Sequence, residues 1–279
     1  MFSEQKTAKM TQYRLKKLLL GDFTLKRLLR SILFIYLVFA VYIFFFSDRM
    51  IFLPPTSSYE DNAEIIKLNS SNNHQISALY LPHPNAKYTL LYAHGNAEDL
   101  GDIRNTLEYL NQLGFNVFAY DYQGYGTSEG KPSEKNAYQD IEAAYHYLTE
   151  KLDIAADQII AYGRSVGGGS VVNLAVNQPL GGLILESAFT SAFRVVIPFP
   201  ILPFDKFPNL KKIPKIKIPI LIIHGTDDQV IPIKHGKKLF EVANDPKLFL
   251  SVEGAGHNDL IPVAGQQHSD IIQEFINQY

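Results

Sequence analysis

Along most of the chain, short continuous apolar runs alternate with segments whose apolar residues recur every three or four positions. The runs at 88–93, 115–120, 158–162, 182–185, 218–223 and 248–252 are β-branched or aromatic, the pattern of strands buried on both faces. Between them, 100–113, 134–152, 166–177, 233–243 and a terminal segment near 262–279 read as amphipathic helices. Ser133 is placed to cap the second of these. Two earlier runs, 63–68 and 75–81, flank the polar turn 69–74 and predict an antiparallel hairpin. Together these elements predict an α/β fold with a mostly parallel eight-stranded sheet and helices on both faces.

The pattern breaks near the N-terminus. Residues 32–46 form an unbroken apolar stretch, and Leu28 and Leu29 lengthen it toward a full span if Arg30 snorkels to the head groups. We read 31–49 as a transmembrane anchor. Eight lysines and arginines precede it against Glu4 and Asp22, so 1–30 is expected in the cytoplasm and the globular domain outside it, in a periplasm or lumen. A cleaved signal peptide is disfavoured because no small-x-small site follows the run. Residues 13–29 mix basic and apolar positions, which suits either an interfacial helix or a flexible tail. Pro54 and Pro55 make 50–58 a stiff linker, and the globular domain is expected over 59–279.

Composition narrows the chemistry. A net charge of -2 supplies no overall basic field, so nucleic acid is not expected as a partner. The absence of cysteine excludes disulfides, thiolate metal sites and a cysteine nucleophile. The histidines lack metal-ligand spacing and no glycine-rich loop runs into Lys-Ser/Thr, so neither metal nor nucleotide cofactor is expected.

In a parallel sheet, ligands gather where strands end. Five loops there are rich in glycine and polar residues: His94-Gly95-Asn96-Ala97, the stretch from Asp121 to Gly130, Gly163-Arg164-Ser165-Val166-Gly167, His224-Gly225-Thr226-Asp227-Asp228, and Gly254 to Asp259. The third sits between a strand and a helix, the context a nucleophile elbow requires. A serine hydroxyl needs an imidazole base, which in turn needs a carboxylate to fix its tautomer. Ser165, Asp228 and His257 supply nucleophile, acid and base in the chain order Ser, Asp, His, each after a different strand.

Asp228 is preferred to Asp227 because it stands three residues after Gly225, before an apolar-apolar-Pro closure; Glu186 is a second alternative, with a structural hydrogen bond its expected use. His257 lies in a glycine-bracketed loop, whereas His235 and His268 fall in helices and are expected at the surface. His94 and His224 are read as fixing loops. The oxyanion donors are expected to be the backbone N–H groups of Val166 and Asn96, with Ala97 the close alternative to Asn96.

These loops, with Met50-Ile51-Phe52-Leu53-Pro54 and Phe204 to Asn209, make the chain resemble membrane-anchored α/β-hydrolases of the bud-emergence (Bem) type, related to α/β-hydrolase-domain protein depalmitoylases. The resemblance covers nearly everything from Met50 onward. It implies an α/β-hydrolase fold whose lid, between Ser187 and Pro219, is short. Gln123 departs from it: relatives often carry arginine there, so a local ion pair is expected to be loosened. There are no N-terminal cysteines to acylate, so a cytosolic lipid-anchored substrate is not carried over. Phe199, Ile201, Leu202 and Phe204 are candidates to line an acyl pocket, to dip into lipid or to pack on the sheet.

The expected activity is serine hydrolysis of an ester or thioester through an acyl-enzyme, on a small-molecule or lipid-like acyl substrate or an acylated protein, with the bilayer as a partner of the N-terminal helix. The alternatives are a membrane-tethered peptidase or amidase of the same fold, and a non-catalytic binding protein built on the hydrolase shell.

Overall fold

The computed structural model describes Met10 and residues 24–278. The basic tail 1–23 therefore lies outside the described residues, apart from Met10, as does most of the 13–29 segment. The chain divides into two compact units, 1–47 and 48–279.

The first unit contains most of helix α1 (Leu25–Ile51), 27 residues long. At 1.5 Å per residue it measures about 40 Å, enough to cross a hydrocarbon core. By length and composition it is a candidate membrane span. It outruns the expected 31–49 at both ends because good helix formers, Leu25 to Leu29 and Met50 to Ile51, continue the apolar run without a breaker until Pro54.

The second unit is an eight-stranded sheet in the order β1-β2-β4-β3-β5-β6-β7-β8. Its strands are β1 (Ile65–Asn69), β2 (Gln75–Leu81), β3 (Thr89–Ala93), β4 (Asn116–Tyr120), β5 (Ile159–Arg164), β6 (Gly182–Glu186), β7 (Ile220–Gly225) and β8 (Lys247–Val252). The hairpin predicted from the first two runs forms, with Ile65 opposite Leu79, and β2 pairs antiparallel with β4. All pairs from β3 to β8 are parallel.

Continuous apolar runs are explained by two cores. Leu91, Phe118, Ala161, Leu185 and Ile222 face one core, while their neighbours Tyr92, Val117, Tyr162, Ile184 and Leu221 face the other. Each buried aliphatic side chain contributes roughly 1.5–3 kcal/mol of transfer free energy, so a polar residue at either alternate would be costly.

Helices α2 (Arg104–Gln112), α3 (Glu134–His146) and α4 (Gly167–Asn177) follow, joined by the short α5 (Ala192–Val196) and α6 (Asn209–Lys212). Then come α7 (Lys234–Val242), α8 (Leu260–Ala264) and α9 (Gln266–Gln278). The Ser133 hydroxyl accepts the Asn136 N–H at 3.1 Å and caps α3 as expected. The predicted helix 134–152 continues past α3 as one π-helical turn, Tyr147–Lys151.

Residues 50–58 do not behave as a linker. Phe52 is buried against Tyr122, Tyr125 and Phe207, and the unit boundary falls before Asp48. The prolines predict a stiff spacer, but an aromatic side chain two residues ahead of Pro54 has a pocket to fill, and burial wins. Asp48 itself pairs with Lys206 at 3.0 Å and accepts the Glu134 N–H at 3.2 Å.

Candidate active site

Strands β3, β5, β6 and β7 end at one edge, and the loops beyond them meet there. Ser165 sits between β5 and α4 with φ +53°, the strained left-handed conformation that costs a non-glycine residue about 1–3 kcal/mol. Two glycines make that turn possible. A side chain at Gly163 would strike Val171 and the backbone of Gly167, and one at Gly167 would strike the carbonyl of Ala93. The turn is fixed by the Ser165 N–H, which donates to the Glu186 carbonyl at 2.9 Å. It leaves the serine 7% exposed.

The hydroxyl Oγ lies 3.0 Å from His257 Nε2, and His257 Nδ1 lies 2.7 Å from Asp228 Oδ2. The other carboxylate oxygen, Oδ1, accepts the N–H groups of Val230 and Ile231 at 2.9 and 2.7 Å. Burial alone would push the Asp228 carboxyl up. The nearby His224 and His257 rings and the Ile231 N–H outweigh it and hold the group well below the usual carboxylate range. Asp228 thus meets the imidazole, while Asp227 is exposed and its carboxylate takes a contact from Thr226 Oγ1 at 3.2 Å.

Val166 is buried and precedes the first turn of α4. Its N–H and that of Asn96 donate to no backbone carbonyl among the described residues, whereas the Gly95 N–H is taken by Glu98 Oε1 at 2.6 Å. The Asn96 side chain is fully engaged: Nδ2 donates to the Ile51 carbonyl at 2.7 Å, and Oδ1 accepts from the Leu53 N–H and the Tyr125 hydroxyl at 2.9 and 2.6 Å. Ala97, the alternative donor, adopts φ +58°.

The remaining histidines separate cleanly. His94 is buried with Nε2 3.2 Å from Asp121 and Nδ1 2.7 Å from the Gly95 carbonyl, so it holds two strand-end loops together. His224 Nε2 lies 2.7 Å from the Ile231 carbonyl and 3.5 Å from Asp228. His235 and His268, expected at the surface, are both buried. Helical periodicity identifies a face but not which face is covered. His235 Nδ1 is 3.0 Å from Thr190 Oγ1, and burial depresses its pKa to about 4. His268 lies against Tyr109 at 3.0 Å and near Glu186 at 3.8 Å.

Sequence reasoning missed Arg164. Its guanidinium donates to both Glu98 oxygens at 2.7 and 2.8 Å, to the His257 carbonyl at 3.0 Å and to Asn258 Oδ1 at 2.8 Å, and lies 3.5 Å from Glu186. One side chain therefore ties the elbow to the β3 loop, the β6 end and the loop carrying His257. A cation among strand-end loops carrying Glu98, Asp121, Glu186 and Asp259 was the available signal. Glu186 is enclosed by Arg164, the Tyr162 hydroxyl and His268, and does not reach His257. A cavity of about 220 Å³ beside His257 is lined by Arg164, Glu98, Asp102, Asn258 and Leu260 among others.

Of the lid residues singled out, Leu202 is buried, whereas Phe199 is 61% exposed. A second cavity of about 220 Å³ is lined by Pro200, Leu202, Pro203, Phe204, Leu210 and Lys211.

Comparison with known proteins agrees with the fold. The family model described as serine aminopeptidase S33 matches residues 84–203. The human α/β hydrolase domain-containing protein 17B is 43% identical over 80% of this chain and 78% of its own length. The α/β hydrolase domain-containing protein aho-3 of Caenorhabditis elegans is 39% identical over 76% of this chain and 73% of its own. The esterase Pf2001 of Pyrococcus furiosus superposes with a TM-score of 0.69 over 81% of this chain and 99% of that chain, at 18% identity.

Proposed function

The chain belongs to the α/β-hydrolase domain-containing protein 17 family, and on that premise we propose that it is a serine hydrolase cleaving ester or thioester bonds through an acyl-enzyme. The observation that carries the reading is the unbroken relay from Ser165 Oγ through His257 to Asp228, at 3.0 and 2.7 Å. In this reading His257 Nε2 takes the serine proton as Oγ attacks the acyl carbon, and then delivers it to the leaving alcohol or thiol. Asp228 holds Nδ1–H, fixing the tautomer and stabilising the imidazolium. The N–H groups of Val166 and Asn96 receive the oxyanion, supported by their freedom from backbone acceptors. Water then repeats the sequence on the acyl-enzyme.

The proposal extends to the membrane. Helix α1 is read as a Bem-type anchor, with 1–30 cytoplasmic, 31–49 spanning and the hydrolase domain outside the cytoplasm; support comes from its length, its apolar composition and the basic residues before it. Protease added to right-side-out vesicles, whose outer surface is extracytoplasmic, should then digest the domain and spare the N-terminus. The resemblance to depalmitoylases makes lipid-like acyl groups the favoured substrate class.

The test of the reaction is labelling by a fluorophosphonate probe. The wild-type chain should label and Ser165→Ala should not; a folded wild type that stays unlabelled refutes serine catalysis and favours a binding protein. The aminopeptidase description of the matching family model motivates a second reading, a peptidase or amidase. Turnover of p-nitrophenyl acyl esters over aminoacyl amides favours the esterase reading, and the reverse preference replaces it.

A further inference from the structure

The lid segment has a surface character unlike the rest of the chain. Between Ser187 and Lys217 stand six cations, Arg194, Lys206, Lys211, Lys212, Lys215 and Lys217, against one acid, Asp205, in a chain whose net charge is -2. That acid is spent internally: Asp205 accepts from Ser191 Oγ at 2.8 Å, from the Phe193 N–H at 3.1 Å and from Arg194 Nε at 3.1 Å. Lys211, Lys215 and Lys217 are exposed, and none makes an ion pair among the described residues. Interleaved with them are exposed apolar side chains: Val196 is 81% exposed, Phe199 61%, and Leu210 is also at the surface. Water is a poor neighbour for such a cluster, which points to a covering partner.

The chemistry and the chain path choose that partner. Cations mixed with exposed aliphatic and aromatic side chains match the boundary of a bilayer containing anionic lipid, where basic residues are drawn to the head groups and apolar groups reach the acyl boundary. The segment is also tied by an ion pair to the chain just after the apolar run. Lys206 pairs with Asp48 at 3.0 Å, and Asp48 stands two residues after Phe46, the last residue of the apolar run. We propose that the exposed side chains of this segment, Val196, Phe199, Leu210, Lys211, Lys215 and Lys217, seat on anionic lipid. The surface rests on the anchor reading for its proximity to the membrane, and not on the reaction.

The chain has no tryptophan, so Phe199→Trp in the full-length protein gives a single reporter. The protein is reconstituted into phosphatidylcholine vesicles with or without phosphatidylglycerol, each carrying brominated acyl chains. In the phosphatidylglycerol vesicles the emission should shift to the blue and be quenched at least about twofold more than in phosphatidylcholine alone, and high salt should reduce the difference. Changing Lys211, Lys215 and Lys217 together to glutamate should return quenching to the phosphatidylcholine level. Absent quenching in phosphatidylglycerol vesicles, or equal quenching in the glutamate variant, overturns the proposal. Alkaline carbonate extraction of the same vesicles reports the anchor separately: release of the chain refutes the anchor, while quenching still decides the lid surface.

Discussion

The ends of β6 and β7 both present a buried carboxylate near the elbow, and both carboxyls are held below their ordinary range. Their surroundings differ in one respect. Asp228 sits against His257, whose other nitrogen reaches Ser165, whereas Glu186 sits against His268, Tyr162 and Arg164, and no nucleophile lies beyond them. Burial and a lowered pKa therefore do not distinguish the proposed catalytic acid from a structural one. What distinguishes them is where the partner's second polar atom points.

The largest expected effect follows from that difference. Asp228→Asn should leave the fold intact and lower kcat by about 10⁴-fold, because the amide favours the wrong imidazole tautomer. Ester turnover and thermal unfolding of one preparation check both halves. Glu186→Gln should do the opposite, lowering stability by roughly 1–3 kcal/mol because Arg164 keeps its Glu98 partner, with kcat reduced no more than about tenfold. A loss of turnover equal to that of Asp228→Asn would collapse the distinction.

Arg164→Lys should fall between them. A lysine cannot span Glu98, Glu186 and the His257 carbonyl at once, so kcat should drop about 10–100-fold with KM little changed, as the imidazole loop loosens. The ratio of the two constants and the pH profile of kcat separate this from simple unfolding.

A third buried carboxyl, Asp140, tests the electrostatic side of the comparison with the smallest expected effect. Its hydrogen-bond partners are neutral: Ser70 Oγ at 2.5 Å, and the Gln123 N–H and Nε2, both at 2.9 Å. Burial, the dominant influence, pushes it from 3.8 to about 6. A carboxyl raised in the folded state binds protons more readily there. Its contribution to stability is thus fully present below about 3.8 and is lost as pH rises through about 6, a range of up to about 3 kcal/mol. Asp228 and Glu186 act with the reverse sign and lose their contribution in acid. Gln123→Arg should supply the missing cation, remove the Asp140 slope between pH 4 and 6, and raise stability at pH 8 by about 1–2 kcal/mol. Denaturation across pH decides; an unchanged slope refutes the assignment to Asp140.

The resemblance anticipated a loosened ion pair at Gln123, and the structure gives its physical form: the glutamine amide bonds Asp140 without neutralising it. Other features were less legible. His235 and His268 carry no mark in their helical spacing that tells a covered face from an open one, because the covering residues, Thr190 and Tyr109, are remote in sequence. The segment after Met50 reads as a linker from its prolines, yet Phe52 and the backbone of Ile51 and Leu53 grip Tyr125 and Asn96.

Local chemistry determined the rest. Continuous apolar runs must be covered on both faces, glycines at Gly163 and Gly167 permit the turn at Ser165, and strand ends collect polar loops, so the sheet and the candidate residues Ser165, Asp228 and His257 follow from the sequence. Only the tertiary structure decided that Arg164 braces the His257 loop, and that Ile51 and Leu53 hold Asn96. Each of those depends on side chains from distant elements converging within hydrogen-bond reach, and linear spacing carries no record of that convergence.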